Sequence, residues 1–385
     1  NKAAIGAAHF ADNHLRNAEV IESMGMLPGL RARWMKQHER VLSLQTLASD
    51  RGARLSTLTR FVRMFLQSLI LGAGALLVIA GDITAGMMIV CSILMGKALS
   101  PVEQVIGSWK TMLSAKESYA RLEEMLGNAP PRGETLSLPK PNGQVVVENL
   151  IAGAPGQQVA ILRGVNFTAN AGDVVGVIGP SASGKSTLAR LLVGVWGARA
   201  GSVRLDGADI YQWNKDELGP HMGYLPQDIE LFDGTIAENI ARFGELDSAK
   251  IIQAAQSAGV HEMILRFPQG YDTPLGIGGI ALSGGQKQRI GLARAIYGNP
   301  ALVVLDEPNS NLDDVGEAAL VATINQLKQQ GTTVILITHR MNILQVVDKL
   351  LVMREGSVTL FGPRKDVLLA LQQQQTQAQS PKQVH

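Results

Sequence analysis

Two short stretches of this sequence carry the residue types that chemistry on a phosphate chain needs. The first is GPSASGKST, Gly179 to Thr187, which follows the β-branched run DVVGVIG and precedes the helical pattern TLARLLVG. It satisfies G-x-x-x-x-G-K-[ST] in the strand-loop-helix context that gives the motif its meaning. The loop Gly179, Pro180, Ser181, Ala182, Ser183 and Gly184 must bring backbone amides against phosphate oxygens, so glycine is required at 179 and 184, where a side chain would block the approach. Lys185 is expected to neutralise the β and γ phosphates, the Ser186 hydroxyl to ligate Mg2+, and the helix opening at Thr187 to present its positive end to the anion.

The second is ALVVLDE, Ala301 to Glu307, an apolar run ending in two adjacent carboxylates. Successive side chains of a strand face opposite ways, so Asp306 and Glu307 cannot share one task. Asp306 is the expected Mg2+ partner, directly or through a second shell, and Glu307 the expected base that orients an attacking water. A solvated acidic pair at a strand end is the simpler alternative. The phosphate loop upstream favours the chemical one.

The elements that must position these residues are legible in outline. From about Gln144 short β-branched runs alternate with helical stretches, which implies an α/β domain with buried parallel strands. Ahead of it lies GNAPPRGETLSLPKPNG, 127–143, a linker by its Pro and Gly content. Earlier still, FVRMFLQSLILGAGALLVIAG, 61–81, has no charge from Met64 onward, and 83–106 begins with an apolar stretch whose first charge is Lys97. These read as two membrane spans joined at Gly81-Asp82; a buried helical pair in a soluble core is the alternative. Arg51, Arg54, Arg60 and Arg63 precede the first span and Lys110, Lys116 and Arg121 follow the second, placing both ends in the cytoplasm. Residues 12–59 read as a long cytoplasmic helix interrupted only at Pro28-Gly29, and the second span continues outward through Leu126. The tail from Gln372 reads as disordered.

Composition excludes several classes. The 385 residues carry 35 Lys plus Arg against 33 Asp plus Glu, and the hydrophobic share is 46%. That near-balance argues against a nucleic-acid coat, and a chain so apolar is not a disordered polymer. A single cysteine, Cys91, rules out an intrachain disulfide framework.

LSGGQKQR, Leu282 to Arg289, falls between the phosphate loop and the acidic strand. With it the sequence resembles the ATP-binding cassette family. The resemblance implies ATP and Mg2+ as cofactors and hydrolysis coupled to transport. It also implies a head-to-tail homodimer in which Ser283, Gly284, Gly285, Gln286 and the D-loop Asp313 meet the nucleotide held by the other chain. Gln227 resembles the Q-loop glutamine that touches Mg2+, and His339 the switch histidine at the γ-phosphate. Two positions depart from the family pattern: Ala154 stands where an aromatic commonly stacks on adenine, and Ile277 where exporters often have an acid.

The fold expected is multidomain. An all-α transmembrane and cytoplasmic portion, 1–126 with a coupling helix before Asp12, precedes an α/β P-loop ATPase domain, 144–371, and a tail, 372–385. Helices fused ahead of the cassette resemble exporters, and two spans where exporter halves have six imply that four are missing from the N-terminus. MGKALSPVEQVIGSWK, GPSASGKSTLARLLVG and VLDEPNSNLD resemble the type I secretion ATPases of the alkaline protease and haem-binding protein kind. That implies a multi-pass protein of the bacterial inner membrane, bathed in lipid, with its ATPase domain in the cytoplasm. Its partners would be a periplasmic membrane fusion (adaptor) protein, an outer-membrane channel of the TolC type and a secreted protein with a C-terminal signal. Export of lipid, drug or small peptide is the alternative. Lys97 lies roughly 21 Å along its helix from the turn, where it either lines the substrate path or snorkels to the headgroups.

Overall fold

A computed structural model describes residues 2–15, 17–128, 137–157, 159–276, 280 and 282–379. The chain divides into two compact units, Asn1–Pro131 and Arg132–His385.

The first unit is helical: α1 (Lys2–Leu15), α2 (Ala18–Ser23), α3 (Leu27–Ile79) and α4 (Ala85–Asn128). The expected interruption at Pro28-Gly29 lies slightly upstream. Gly25 takes a left-handed φ of 63°, and Pro28 sits in the first turn of α3, where its missing N–H removes no helical hydrogen bond. A second break, between Leu15 and Ala18, was not signalled by any proline or glycine. At its far end α3 closes with Gly81 at φ 84°, the Asp82 amide donating to the Leu77 carbonyl and the Gly81 amide to Val78. That pattern satisfies the last carbonyls and reverses the chain within the five residues 80–84. Gly74, the one buried residue of α3 among those described, lets α4 approach, since a Cβ there would lie 2.7 Å from Met88 Cγ.

Helix α3 is long and apolar enough to cross a membrane, with a mean hydropathy of 2.0 over its best window and only 6% of that window buried. A soluble-core helix would have that face covered; here Phe61, Met64, Leu76 and Ile79 are exposed. In α4 the apolar part is the shorter Ala85–Pro101, with Lys97 exposed on it.

The second unit is built on two sheets. Strands β1 (Val145–Ala152), β2 (Leu162–Ala169), β4 (Ala200–Leu205) and β5 (Ala208–Asp209) form an antiparallel sheet ordered β2-β1-β4-β5. The other sheet is ordered β12-β11-β3-β10-β9-β6, from β3 (Val174–Ile178), β6 (Met222–Leu225), β9 (Leu302–Asp306), β10 (Thr333–Ile337), β11 (Lys349–Arg354) and β12 (Ser357–Pro363). Its strands from β11 to β6 are parallel, and β12 is an antiparallel edge. A short β7 (Gly234–Thr235) pairs with β8 (Pro274–Leu275). The helices are α5 (Lys185–Leu192), α6 (Lys215–Leu218), α7 (Ile236–Ile240), α8 (Ser248–Ser257), α9 (His261–Leu265), α10 (Gly284–Ile296), α11 (Asp314–Gln329) and α12 (Arg364–Gln379).

Alternation along the parallel strands divides the core. Val175 and Val177 of β3 face α5 and the antiparallel sheet, together with Ile335, Ile337 and Val304. Val174, Val334, Leu336, Val303 and Leu305 face α8, α10 and α11 on the other side. Every residue of β9 and β10 is buried, as helices on both faces of a parallel sheet require. The expected disorder from Gln372 is not what the structure shows: α12 packs Val367, Leu368 and Leu371 on the core and runs on to Gln379. A glutamine tract has good helix propensity once a packed segment nucleates it. Residues 380–385 lie outside the described residues.

The end of the linker is docked by polar contacts. Asp206 accepts from the amides of Asn142, Gly143 and Gln144, and the buried Thr333 hydroxyl donates to the Gly143 carbonyl (2.7 Å) while accepting from the Gly172 amide (3.0 Å). Thr333→Val keeps the shape and strands both backbone groups. We expect it to cost about 1–3 kcal/mol, read as a lower denaturation midpoint at unchanged slope.

Candidate functional site

The phosphate loop leaves β3 at Gly179. A Cβ on Gly179 would fall 2.2 Å from the Met353 carbonyl oxygen, so only glycine passes beneath β11. Gly184 takes φ 96° and has Leu162 Cδ2 at 2.6 Å from its absent Cβ, so it too has no substitute. Lys185 begins α5 and is buried, its Nζ donating to the carbonyls of Gly179 and Pro180, both at 2.9 Å. These bonds fold the ammonium back over the loop. Burial lowers its pKa, opposed by the carboxylates of Glu307 and Asp306, which places all three groups in one field.

Asp306 ends β9 almost fully buried. Burial raises its pKa and Glu307 adds to the rise, while a hydrogen bond from Ser186, with Arg190 and Lys185, opposes it. Its Oδ1 is buried without a hydrogen-bond partner. A solvent-free carboxylate oxygen beside a hydroxyl and an ammonium is a poor arrangement for a free acid and a suitable one for a hard divalent cation, so these residues fit Mg2+.

Glu307 is placed differently. Its φ of 51° is left-handed, a strained conformation for a residue with a side chain, held because its N–H donates to Ile337 and its carbonyl accepts from Gln288. The kink turns the carboxylate away from Asp306. Gln227 Nε2 donates to Oε2 at 3.3 Å, and His339 Nε2 lies 3.0 Å from Oε1. Gln227 comes two residues after β6 and His339 two after β10, so the three meet only because β6, β9 and β10 are neighbours. A carboxylate held between an amide and an imidazole is a base with fixed direction.

The structure therefore brings Lys185, Ser186, Gln227, Asp306, Glu307 and His339 together. It does not bring the signature to them. Ser283 caps α10, its hydroxyl accepting from the Gln286 amide while its own amide donates to Gln286 Oε1. Ser283, Gly284 and Gly285 line a cavity of about 360 Å³ with Arg289, Asn311, Leu312 and Asp313, and no phosphate-loop residue lines it. Asp313 caps α11 by accepting from the Gly316 amide at 2.9 Å. Ala154 lines a separate cavity with Trp196 and Tyr211, the two aromatic residues on that wall. Ile277 lies outside the described residues.

Sequence reasoning missed Gln288. It is buried, donates to the Glu307 carbonyl (3.1 Å) and Ser310 Oγ (3.3 Å), and accepts from the Asn311 amide (2.9 Å). The signal was available: Gln288 shares the buried stripe of α10 with Gly291, Leu292 and Ala295, and a polar residue on such a stripe needs partners.

The chain is similar to known proteins in sequence and in fold. Residues 162–310 match the family model for "ABC transporter". The type I secretion system ATP-binding protein PrsD of Rhizobium meliloti (strain 1021) is 49% identical over 373 residues, 96% of this chain and 64% of that protein. The toxin RTX-I translocation ATP-binding protein of Actinobacillus pleuropneumoniae is 32% identical over 356 residues, 91% of this chain and 50% of that one. The chain thus spans between half and two thirds of the length of these relatives. A bacterial Atm1-family ABC exporter with ATP bound superposes with a TM-score of 0.83 at 26% identity, covering 100% of this chain and 68% of that one. With the phosphate loop, acidic strand and signature helix in place, residues 162–310 belong to the ABC transporter family, and the chain is similar to its type I secretion ATP-binding members.

Proposed function

We propose that this chain supplies ATP binding and hydrolysis to a type I secretion system that exports a polypeptide with a C-terminal signal across the bacterial inner membrane. The observation that carries the catalytic part is the cluster at the ends of β3, β6, β9 and β10. Lys185 is tied to the loop that would cradle phosphate, and Glu307 is aimed by Gln227 and His339. Similarity to secretion ATP-binding proteins over 96% of the chain supports the transport part.

In this reading Gly179 to Thr187 hold the ATP phosphates, with Lys185 as the cation that neutralises them as charge develops. Ser186, Asp306 and Gln227 would hold Mg2+, which supplies charge neutralisation at the phosphate oxygens. Glu307 orients or deprotonates the attacking water, and His339 keeps the carboxylate directed and contacts the γ-phosphate. Ser283 to Gln286 and Asp313 act on the partner's nucleotide in a homodimer, because their cavity is lined without the phosphate loop of their own chain. ATP binding then closes the dimer through contacts the open state lacks, and hydrolysis reopens it. A periplasmic adaptor, an outer-membrane channel and membrane lipid are the partners of this reading, with α3 and the apolar part of α4 as spans. Export of a lipid, drug or small peptide is the second reading, because the ATP chemistry is common to both and the fold is also that of an Atm1-family ABC exporter.

Two outcomes test these assignments. Glu307→Gln should bind ATP as the parent does yet hydrolyse it at least about 10²-fold more slowly, accumulating the closed dimer. Turnover at the parental rate would remove Glu307 from the role of base. In lipid vesicles, a C-terminal peptide from a secreted substrate should change the ATPase rate of the parent and leave Glu307→Gln silent. Stimulation by small amphiphiles with indifference to the peptide would move the function to the second reading.

A further inference from the structure

Arg242 follows α7 and belongs to no site described above. Its guanidinium is partly buried and donates to four backbone carbonyls: Arg294 (2.9 Å, from Nε), Gly219 (2.8 Å) and Met222 (2.9 Å, both from Nη1), and Ala295 (2.9 Å, from Nη2). Among the described residues no carboxylate pairs with it. Burial and the nearby Arg294 charge lower its pKa to about 10, so it remains a cation at neutral pH. Arg242 and Phe243 both take φ 58°, two successive left-handed residues with side chains. Strain of that kind persists only where surrounding contacts over-determine it.

The four acceptors identify what is being held. Arg294 and Ala295 lie in the last turn of α10, whose terminal carbonyls have no helical donors and form the negative end of its dipole. Gly219 begins the turn that leads into β6 and Met222 is the first residue of that strand, which ends two residues before Gln227. The two elements touch directly: a Cβ on Gly223 would fall 2.1 Å from the Ala295 carbonyl oxygen. A second tie runs parallel, with Arg294 donating to the Glu230 carbonyl and lying over the Phe232 ring at 5.3 Å. At its other end α10 begins with Ser283, Gly284 and Gly285 and is fixed to the Glu307 segment by Gln288.

We propose that Arg242 is a positioning residue for the two-chain nucleotide site, locking the signature helix α10 to the strand that delivers Gln227 so that both enter closure as one body. The proposal rests on the reading that the signature acts on the partner's nucleotide. A lysine cannot replace it, because one ammonium has no planar fork to reach acceptors in four directions, although it keeps a cation at the helix end.

The test uses the full chain in lipid nanodiscs. Arg242→Gln and Arg242→Lys should bind trinitrophenyl-ATP within about twofold of the parent, because the phosphate loop is untouched, while kcat falls by about tenfold or more. In a Glu307→Gln background, the ATP concentration that closes the dimer, read by energy transfer between labels on the two ATPase domains, should rise by about tenfold with either variant. A merely structural Arg242 would lower the melting temperature and leave the closure midpoint and the kcat of folded protein unmoved. That result in Arg242→Lys, the variant that decides should Arg242→Gln fail to fold, would overturn the proposal. Absence of ATP-driven closure in Glu307→Gln alone would instead refute the two-chain reading, and the proposal with it.

Discussion

Strand β10 is hydrogen-bonded along both edges, to β3 on one side and β9 on the other, with Ile337 paired to Val177 and to Asp306. Neighbouring strands lie about 4.8 Å apart, so this one intervening strand sets the phosphate loop and the acidic pair roughly 10 Å from each other. A triphosphate and the side chains of Lys185 and Ser186 span such a gap, and the Ser186 bond to Asp306 already crosses it. The pairing is strongly specified. A one-residue slip of β10 would turn Val334 and Leu336 toward the antiparallel sheet and Ile335 and Ile337 toward the helices, disrupting both cores at once. It would also move His339 away from Glu307.

Polar groups placed in otherwise apolar layers do the fine positioning. Gln288 inside α10 and Thr338, whose hydroxyl donates to Asn309 Oδ1 at 2.9 Å, connect the strand ends to the loops that follow them. Removing one partner of such a pair leaves a buried group unsatisfied, which is more costly than the bond is favourable. These residues therefore restrict the loops to a narrow set of positions, and Glu307 remains in a backbone conformation it would not otherwise choose. Arg242 applies the same logic at the opposite end of α10, with a cation satisfied by backbone carbonyls instead of a carboxylate.

The helical unit obeys a different constraint. Its long helix makes all its backbone hydrogen bonds internally and exposes a nearly uncovered apolar face, which is what a segment surrounded by lipid needs and a soluble helix avoids. Contact between α3 and α4 is close at a glycine, Gly74, whose missing side chain leaves room for Met88.

Much of this was written in local pattern. The phosphate loop is specified by its glycines because backbone geometry and amide access are local properties, and β3, β9 and β10 were visible as β-branched runs because both their faces are buried. Helix α3 announced itself by a predominantly apolar stretch without a charge from Met64 to its end, as a span requires. The signature, Gln227 and His339 were legible through family resemblance, not through their own chemistry: a lone histidine after a strand says nothing of its neighbours. Only the tertiary structure decided that β6, β9 and β10 lie side by side, and hence that Gln227 and His339 meet on Glu307 across separations of 80 and 32 residues. Strand order depends on which faces bury together across the whole core, and no window of sequence contains that information. The same holds for the partners of Arg242, which are backbone carbonyls that every residue carries and therefore leave no trace in the sequence of the segments it holds.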